Sequence, residues 1–531
     1  MIQMNRIFSD NMVLQRGEPV NIFGKAAPES QIEIAIPERE IKVAVTVSKD
    51  GEFLAKLPPQ DAGEPVTLVI SELGTGSTMR FINVHYGEIW MAAGQSNMEF
   101  ELQNAKQGAE ELIHLEEMRQ KDMEPDIYYY FAEKMGYESE EALEREAASC
   151  WRGVIDEDAK RLSAVGYFAA KALAEKLSVP VGIINCNHGG TSISCWMDKS
   201  YLNSFAEGAW YIKQYEELVK DKSNEEYLAE MKDYKKILEK YQALMNRLMK
   251  EAKERGETLS GEQLNELAGP YPWPEPQGWL SPYRPGGLYE TMFKKLIPYT
   301  IKGVWFYQGE EDGPRSSRYE AMLTHLIAEW REEFQKELPF FIMQLPMFLE
   351  KGLPEQGFFT GIRRAQEQVA QKVSGVTLVP LCDLGEYDNI HPIDKKTPGI
   401  RLGNMTWSAI YKGKEEVRPM KYAGYFMEAG TLAVYFDETA GGFMINEAKQ
   451  GEEPSLITVE EAKKKEVAIS GFEIAGTDGI FYPADAVIER SFVILSSTDV
   501  PSPMAVRYGQ KDYIYCNLYN KQGIPLVPFG M

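Results

Sequence analysis

The spacing of apolar residues changes twice along this chain. Residues 1 to about 86 carry short apolar runs separated by Gly, Pro and Asp, a pattern typical of short strands joined by turns. The predicted strands here are Val20–Phe23, Gln31–Ile36, Ile41–Val47 and Val66–Ile70. The same pattern returns from about residue 412 to residue 531, where the predicted strands are Leu432–Phe436, Glu466–Ile469, Ala486–Ile488, Ser491–Ser496 and Ala505–Tyr508. Both ends are therefore predicted to be all-β domains, the first a β-sandwich.

Between these ends, over residues 87–411, short apolar runs alternate with segments of helical spacing. This alternation predicts a parallel sheet with helices between its strands. The predicted strands are Glu88–Ala93, Ile127–Phe131, Val181–Asn185, Lys302–Gln308, Phe340–Gln344 and Val376–Leu381. The clearest predicted helices are Ser163–Leu177, with Ser163 as its N-cap, Ser316–Phe334 and Thr360–Val373. The predicted domains are thus 1–86, 87–411 and 412–531.

A segment at about 201–268 interrupts the α/β alternation. Its apolar residues recur at spacings of three and four over about three heptads, which predicts a helical seam. They are Tyr227, Met231, Tyr234, Leu238, Tyr241, Met245 and Leu248. The favoured interpretation is a helical hairpin that packs on itself or on the domain. A homodimer contact through this insert is the alternative.

The segment after the insert, residues 269–287, is rich in Pro and aromatic residues. Pro stiffens the backbone and does not continue a helix, so this segment is predicted to be an ordered loop. Trp273 and Trp279 on such a loop suit stacking on sugar faces. They suit packing against the helical insert equally well, and the sequence leaves both interpretations open.

Composition and charge narrow the classes of partner. The chain has 531 residues and a net charge of −23, which argues against nucleic acid or an anionic membrane surface as a partner. No apolar run approaches the ~20 residues of a membrane span, and the N-terminus lacks the apolar core of a secretory signal. Five scattered Cys favour free thiols, and no pair has metal-ligand spacing. A cytoplasmic location is expected.

Four predicted strand ends carry residues suited to acyl transfer. Ser96 follows the first strand of the α/β segment, Gly190 follows the third, Gln308 ends the fourth, and Asp388 and His391 follow the last. Ligands bind at the carboxyl ends of strands in open α/β sheets. A nucleophilic Ser needs a base, a group that orients the base, and donors for an oxyanion. These strand ends offer each of them.

Residue type and spacing predict a catalytic role for each residue at these strand ends. Of the five His residues, His391 is the best placed to act as base, because it lies just beyond a predicted strand. Asp388, three residues earlier, is expected to orient it, with Glu310 as the competing carboxylate. The N–H of Gly190 is a candidate oxyanion donor, and so is the Gln308 side-chain amide.

The four strand ends, taken together, resemble the sialate O-acetylesterase family of the SGNH hydrolase superfamily. The segments that carry the resemblance are Gly94–Met98, Gly189–Thr191 with Trp196, Trp305–Glu310, and His391–Pro392 with Lys395, Gly399 and Arg401–Leu402. Three further segments extend it towards both ends of the chain: Phe8–Arg16, Ala505–Tyr508 and Asn517–Asn520.

The resemblance implies an α/β fold: a three-layer flavodoxin-like SGNH hydrolase domain, flanked by N- and C-terminal all-β domains and carrying the helical insert. It also implies a serine esterase mechanism with no cofactor and no metal. By position, Ser96 is the nucleophile and His391 the base, with Asp388 as the orienting acid. The N–H groups of Ser96 and Gly190 and the side chain of Gln308 then form the oxyanion hole.

The expected substrate is an O-acetylated sugar. Acetylated sialic acid and acetylated mannan or xylan oligosaccharides both fit the resemblance. The residues expected to contact it are Gln95, Asn97, His188, Glu310, Trp273, Trp279 and Arg284. Of these, His188 lies in what is favoured as a tight β-to-α turn, and a substrate contact is the alternative interpretation. The alternative function is a catalytically inert glycan-binding protein that uses its β domains.

Overall fold

The chain forms two compact units. The computed structural model describes residues 1–255, 261–411, 417–428 and 430–530. One unit comprises Met1–Glu133, Leu143–Ile193 and Lys295–Met531, and the other comprises Lys134–Ala142 and Ser194–Lys294. Both terminal β regions therefore lie in the same unit as the parallel sheet, and the second unit is wider than the predicted insert at 201–268.

Seven short strands precede the parallel sheet. They are β1 (Gln3–Met4), β2 (Val13–Gln15), β3 (Val20–Lys25), β4 (Gln31–Ile36), β5 (Ile41–Thr46), β6 (Glu52–Leu57) and β7 (Val66–Glu72). Strands β1, β3 and β6 form one antiparallel sheet, and β4 pairs with β5 and β7 in another. Strand β8 (Thr78–Gly94) pairs with β7 and then continues into the parallel sheet. The predicted boundary at residue 86 thus falls inside one strand.

The central sheet contains the six strands that the apolar runs predict. Besides β8, its strands are β9 (Ile127–Phe131), β10 (Arg152–Gly153), β11 (Val181–Asn187), β12 (Gly303–Tyr307), β13 (Phe340–Met343) and β14 (Val376–Val379). The order is β10-β9-β11-β8-β12-β13-β14, and all neighbours are parallel except β10 and β9. Since β8 lies between β11 and β12, the chain changes direction across the sheet at β8, where α/β folds bind ligands.

Helices connect these strands. Those in the described ranges are α1 (Ser96–Glu99), α2 (Gly108–Gln120), α3 (Glu140–Ala147), α4 (Ala164–Leu177), α5 (Lys199–Leu202), α6 (Ala206–Val219), α7 (Asn224–Glu254), α8 (Gly261–Ala268), α9 (Ser316–Phe334), α10 (Phe358–Lys372), α11 (Lys396–Tyr411) and α12 (Val459–Lys465). The predictions of α4, α9 and α10 are confirmed. The Ser163 hydroxyl accepts the N–H of Gly166 at 3.0 Å, which confirms it as the N-cap of α4.

In the C-terminal region, residues 417–428 and 430–530 form three small sheets around one core. Its strands are β15 (Lys421–Glu428), β16 (Thr431–Asp437), β17 (Phe443–Asn446), β18 (Leu456–Thr458), β19 (Phe472–Ala475), β20 (Phe481–Pro483), β21 (Asp485–Glu489), β22 (Phe492–Ser496), β23 (Ala505–Tyr508), β24 (Leu518–Asn520) and β25 (Phe529–Gly530). The predicted strand Glu466–Ile469 is wrong, because Glu466 ends α12 in the left-handed conformation. The core also includes Met347 and Cys382 from the α/β segment.

The second unit contains α5 to α8 and the Pro-rich loop. The apolar seam of α7 forms its buried and half-buried face. The Tyr234 hydroxyl donates to the carbonyl of Pro272 at 2.7 Å, and the rings of Tyr241 and Tyr271 meet edge to face with centroids 5.7 Å apart. The seam therefore packs on its own unit, the favoured interpretation. A homodimer contact through the insert stays a prediction, and the predicted insert's residues 256–260 lie outside the described ranges.

Candidate active site

The carboxyl ends of three neighbouring strands lie in register. Gly94 of β8 pairs with Asn187 of β11 on one side and with Tyr307 of β12 on the other. The residues that follow these three positions therefore meet at one edge of the sheet. The sequence analysis placed Ser96 and Gly190 after two of these strands and Gln308 at the end of the third.

Gly94 makes the turn that presents Ser96. It has φ 137°, a conformation that residues with a Cβ rarely adopt. A Cβ on Gly94 would lie 2.0 Å from the carbonyl oxygen of Tyr307. The next N–H, that of Gln95, donates to this same oxygen at 3.0 Å. The strand thus ends abruptly, and Ser96 becomes the first residue of α1.

Ser96 and His391 are in direct contact. Nε2 of His391 lies 2.8 Å from Oγ of Ser96. The two residues are 295 positions apart in the sequence, and the loop after β14 brings the imidazole to the end of β8. A neutral imidazole at this distance can accept the Ser96 hydroxyl proton.

The surroundings of His391 keep its imidazole neutral. Burial and the positive charge of Lys395 lower the pKa of His391 to about 4, and the negative charge of Glu99 opposes this shift. Above that pKa the ring has a lone pair on Nε2, as a general base requires. Among the described residues, no side chain or carbonyl hydrogen-bonds Nδ1 of His391. Ser96 and His391 therefore form a hydrogen-bonded pair, and the negative charge of Glu99 lies near it.

Asp388 is not brought to His391, contrary to the spacing argument. Its side chain is exposed and accepts the N–H of Lys351 at 2.7 Å. Its own N–H donates to Leu349, and its backbone is left-handed at φ 60°. The N–H of His391 is instead bonded to the Asn389 side chain at 3.1 Å. The Asp388 carboxylate is therefore bonded to the N–H of a neighbouring loop residue and not to His391.

Glu99 is the acidic residue that sequence reasoning missed. It lies three residues after Ser96, one turn along α1, so both side chains are on one face of the helix. Its carboxylate accepts the N–H of Gly189. The i, i+3 spacing from Ser96 indicates this position. That spacing becomes informative only when the residues after Gly94 are known to be helical.

Two backbone N–H groups beside Ser96 are candidates for an oxyanion site. Gly189 packs on Ser96, because a Cβ on this glycine would lie 3.4 Å from the Ser96 Cβ. The next residue, Gly190, is left-handed at φ 67°. Across the described ranges, neither the N–H of Gly190 nor that of Ser96 has a protein acceptor. Both remain available to a developing negative charge.

Gln308 does not fit the predicted role of oxyanion donor. It is fully buried, and Nε2 lies 2.7 Å from Asp312 Oδ2 and 3.1 Å from both Thr191 O and Gln95 Oε1. Its Oε1 accepts the hydroxyl proton of Tyr319 at 2.7 Å. An amide nitrogen has two protons, and protein acceptors already use them. Gln308 therefore connects, by hydrogen bonds, the segments that follow β8, β11 and β12.

Three expected substrate contacts are also interior residues. Gln95 and Asn97 are buried, and Glu310 is 7% exposed. The Gln95 side-chain oxygen accepts the N–H of Gly309 at 3.1 Å, which fixes the turn after β12. Asn97 donates to Glu310 Oε1 at 2.6 Å. Their polar atoms form hydrogen bonds with other protein groups next to Ser96, so these residues are not placed to contact a sugar directly.

His188 lies at the edge of the same site. Its N–H donates to the carbonyl of Gly94 at 3.0 Å, and its carbonyl accepts the Thr191 hydroxyl at 2.7 Å. The backbone of His188 therefore stabilises the tight turn after β11. A substrate contact by the half-buried His188 ring stays a prediction.

The remaining expected substrate residues belong to the second unit. Trp273 and Trp279 are 46% and 38% exposed, so both retain open aromatic surface. Trp273 also packs edge to face on Tyr283, with centroids 5.5 Å apart. Arg284 is held by Glu290 at 2.9 Å and by the carbonyl of Ser281 at 2.8 Å. A sugar contact by any of the three stays a prediction.

A buried ion pair anchors the chain that leads to His391. The two terminal guanidinium nitrogens of Arg401 donate to the Asp383 carboxylate, at 2.8 and 2.7 Å. The hydroxyl of Tyr519 donates to the same carboxylate from the C-terminal region. The Asp383 end of the loop is thereby fixed. Among the described residues, no group of His, Cys, Asp and Glu has the arrangement of a metal site.

Comparison with known proteins agrees with this geometry. The sequence model of a carbohydrate esterase family, the sialic acid-specific acetylesterases, matches residues 86–255 and 277–412, more than half of the chain. The chain belongs to this family. The resemblance read from the strand ends is confirmed, and membership makes the protein an esterase-type hydrolase of the carbohydrate esterases.

Relatives of this carbohydrate esterase span most of its length. Sialate O-acetylesterase of Mus musculus is 22% identical over 428 residues, covering 74% of this chain and 71% of the mouse protein. The Homo sapiens protein of the same name is 22% identical over 431 residues, covering 74% and 68%. A solved carbohydrate acetylesterase from Xanthomonas citri has a TM-score of 0.72 at 23% identity, covering 100% of this chain and 99% of that one. This last likeness shows a shared fold.

Proposed function

We propose that this protein is a carbohydrate O-acetylesterase that removes acetyl groups from sugar hydroxyls through an acetyl-serine intermediate. The observation that carries the proposal is the 2.8 Å contact between Ser96 Oγ and His391 Nε2 at the end of β8. Family membership supplies the reaction class. The α/β segment would then be a three-layer flavodoxin-like SGNH domain flanked by β domains.

In the first half of the reaction, Ser96 Oγ attacks the acetyl carbonyl carbon and its proton passes to His391 Nε2. The carbonyl oxygen becomes an oxyanion, which the N–H groups of Ser96 and Gly190 stabilise. The bond between the acetyl carbon and the sugar oxygen then breaks. The sugar oxygen takes the proton from His391 and leaves as a hydroxyl.

In the second half, water attacks the acetyl-serine. His391 accepts a proton from the water and returns it to Ser96 Oγ as the ester bond breaks, which releases acetate. The carboxylate of Glu99 favours the imidazolium that exists in both halves, because it raises the pKa of His391. In this account Glu99 does through charge what Asp388 was expected to do through a hydrogen bond.

The proposed substrates are O-acetylated sialic acid and acetylated mannan or xylan oligosaccharides. The relatives named sialate O-acetylesterase favour the first. Sialic acid carries a carboxylate, and the expected cation, Arg284, is already paired with Glu290. Together with the net charge of −23, this pairing favours a neutral acetylated sugar. A cytoplasmic location, as predicted from the sequence, would suit mono- or oligosaccharides.

Acetate release tests the proposal. Wild type and Ser96→Ala are compared on acetylated sialic acid and on acetylated manno- and xylo-oligosaccharides. We expect release by wild type alone, and the preferred sugar identifies the substrate class. Equal release by both proteins would overturn the mechanism. Sugar binding without release by wild type would support the inert glycan-binding alternative, which the intact Ser96–His391 pair disfavours.

A further inference from the structure

A lysine is buried beside the Ser–His pair. Lys395 is 1% exposed, four residues after His391. Its Nζ donates to the side-chain oxygen of Asn97 at 2.6 Å and lies 4.7 Å from the centre of the Phe100 ring. A buried ammonium is costly unless it is paired, so its position calls for a reason.

The partner of this lysine, Asn97, joins the two catalytic segments. Asn97 is the residue after Ser96 on α1. Its side-chain nitrogen donates to the carbonyl of Ile390, the residue before His391, at 3.0 Å. It also donates to Glu310 Oε1 at 2.6 Å. One amide therefore fixes the helix of the nucleophile to the loop of the base.

Lys395 and Glu310 dictate how that amide is oriented. The ammonium has only donors, so it selects the oxygen of Asn97, and the carboxylate of Glu310 selects the nitrogen. Exchanging the oxygen and nitrogen would place donor against donor at Lys395 and acceptor against acceptor at Glu310. The correct orientation is the one that donates to Ile390.

We propose that Lys395, Asn97 and Glu310 form a positioning network, in which Asn97 holds Ser96 and His391 at their contact distance and the buried ammonium of Lys395 acts on the imidazole through its charge. The proposal rests on the function proposed above. The sequence analysis expected Asn97 and Glu310 to contact the substrate. In this proposal they instead position Ser96 and His391.

The charges around the network agree with this role. Burial lowers the pKa of Lys395 to about 7, against the carboxylates of Glu310, Glu386 and Asp394. Burial raises the pKa of Glu310 above its usual value, despite the bond from Asn97. Within the described ranges, the second oxygen of Glu310 has no hydrogen-bond partner. Packing and hydrogen bonds within the protein, and not contact with water, therefore hold Lys395 and Glu310 in place.

The sign of the effect on His391 is fixed by these values. At pH 4 to 5 Lys395 is protonated, because its pKa is about 7. Its positive charge therefore acts on His391 in the range where the imidazole titrates, at about 4. Glu99 is the charge that acts in the opposite direction. Loss of the Lys395 charge should raise the pKa of His391.

The test is the pH dependence of Ser96 labelling by diisopropyl fluorophosphate, a probe that does not require the sugar substrate. In wild type the labelling rate should rise as His391 loses its proton. In Lys395→Met this rise should move to higher pH by roughly one unit, the size of a neighbouring like-charge effect. Lys396→Met, the same change one residue later, should leave the profile where it is.

Two further variants separate charge from hydrogen bonding. Lys395→Gln retains a donor for Asn97 without the charge, so the profile should shift as in Lys395→Met. Asn97→Ala retains the charge but releases Ile390, so the labelling rate should fall by about 10²-fold, as expected for a nucleophile displaced by about 1 Å. Its pH midpoint should stay close to that of wild type.

The outcomes distinguish this proposal from the function on which it rests. Absence of Ser96 labelling in folded wild type would contradict the proposed Ser96–His391 nucleophile itself. Labelling in wild type with an unmoved profile in both Lys395 variants would overturn the electrostatic role of Lys395. An Asn97→Ala protein that labels at the wild-type rate would overturn the positioning role of Asn97. Circular dichroism establishes that each variant is folded, and Lys395→Gln serves if Lys395→Met is not.

Discussion

Glu99 lies one helical turn after Ser96, and its carboxylate accepts the backbone N–H of Gly189. One short helix thus carries the proposed nucleophile and the carboxylate whose charge acts on His391. The same bond fixes the Gly189–Gly190 turn beside Ser96. In the proposed mechanism the acid therefore comes from the same helix as the nucleophile, whereas the sequence analysis placed it beside the base.

The first prediction concerns Glu99→Gln. The amide oxygen of Gln still accepts the N–H of Gly189, so geometry is retained while the charge is lost. Because the Glu99 carboxylate raises the pKa of His391, the variant should have its acid limb of kcat/KM at lower pH than wild type. Turnover should fall about tenfold, the equivalent of one pKa unit of lost imidazolium stabilisation.

Asp388→Asn is the matched control for Glu99→Gln. Asp388 accepts only a loop N–H, that of Lys351, among the described residues, so its pH profile and turnover should stay near those of wild type. The reverse pattern, with Asp388→Asn impaired and Glu99→Gln unchanged, would restore the assignment of Asp388 as the orienting acid.

The second prediction concerns Gln308→Ala. This change removes one hydrogen bond from the buried Asp312 carboxylate and one from the Tyr319 hydroxyl. Losing buried hydrogen bonds, one of them to a carboxylate, costs about 1–3 kcal/mol, so the free energy of unfolding should fall by that order in urea denaturation. Gln103→Ala, at an exposed glutamine, should change it by less than about 0.5 kcal/mol. A lower kcat with unchanged stability would instead indicate an oxyanion donor.

The third prediction concerns Gly94→Ala. The added Cβ would meet the Tyr307 carbonyl oxygen at 2.0 Å, so the end of β8 has to move. We expect loss of activity and a large decrease in Tm. Gly76→Ala introduces the same kind of left-handed strain, at φ 73°, with open space around the Cβ, and should cost about 1–2 kcal/mol. Equal effects at the two sites would show that the clash at Gly94 is relieved cheaply.

The sequence predicted the strand ends well because each of them combines two local signals. The apolar run before Gly94 and the polar residues after it define both a strand and its end, and the same holds for β11 and β12. Parallel strands then bring their ends together without further information. The Ser96–His391 contact at 2.8 Å follows from this rule, although the two residues are far apart in the chain.

The orientation of individual side chains could not be predicted in this way. Asp388 has a left-handed backbone and accepts a loop N–H, and spacing alone predicts neither. Residue type predicts that Gln308 is an oxyanion donor, but its side-chain amide is hydrogen-bonded to Asp312 and Tyr319, which lie on the turn and the helix that follow. Burial of Lys395 likewise depends on packing between segments far apart in sequence.

The most direct test of the account is to locate the acetyl group during turnover. Wild type and His391→Ala are mixed with 4-nitrophenyl acetate, quenched in acid within the first turnover, and mapped by peptide mass spectrometry. The account predicts one acetyl group on the peptide that contains Ser96 in wild type, and none there in His391→Ala over the same time. Acetyl transfer to another residue, or hydrolysis by wild type with no acetyl-enzyme at any time, would contradict it.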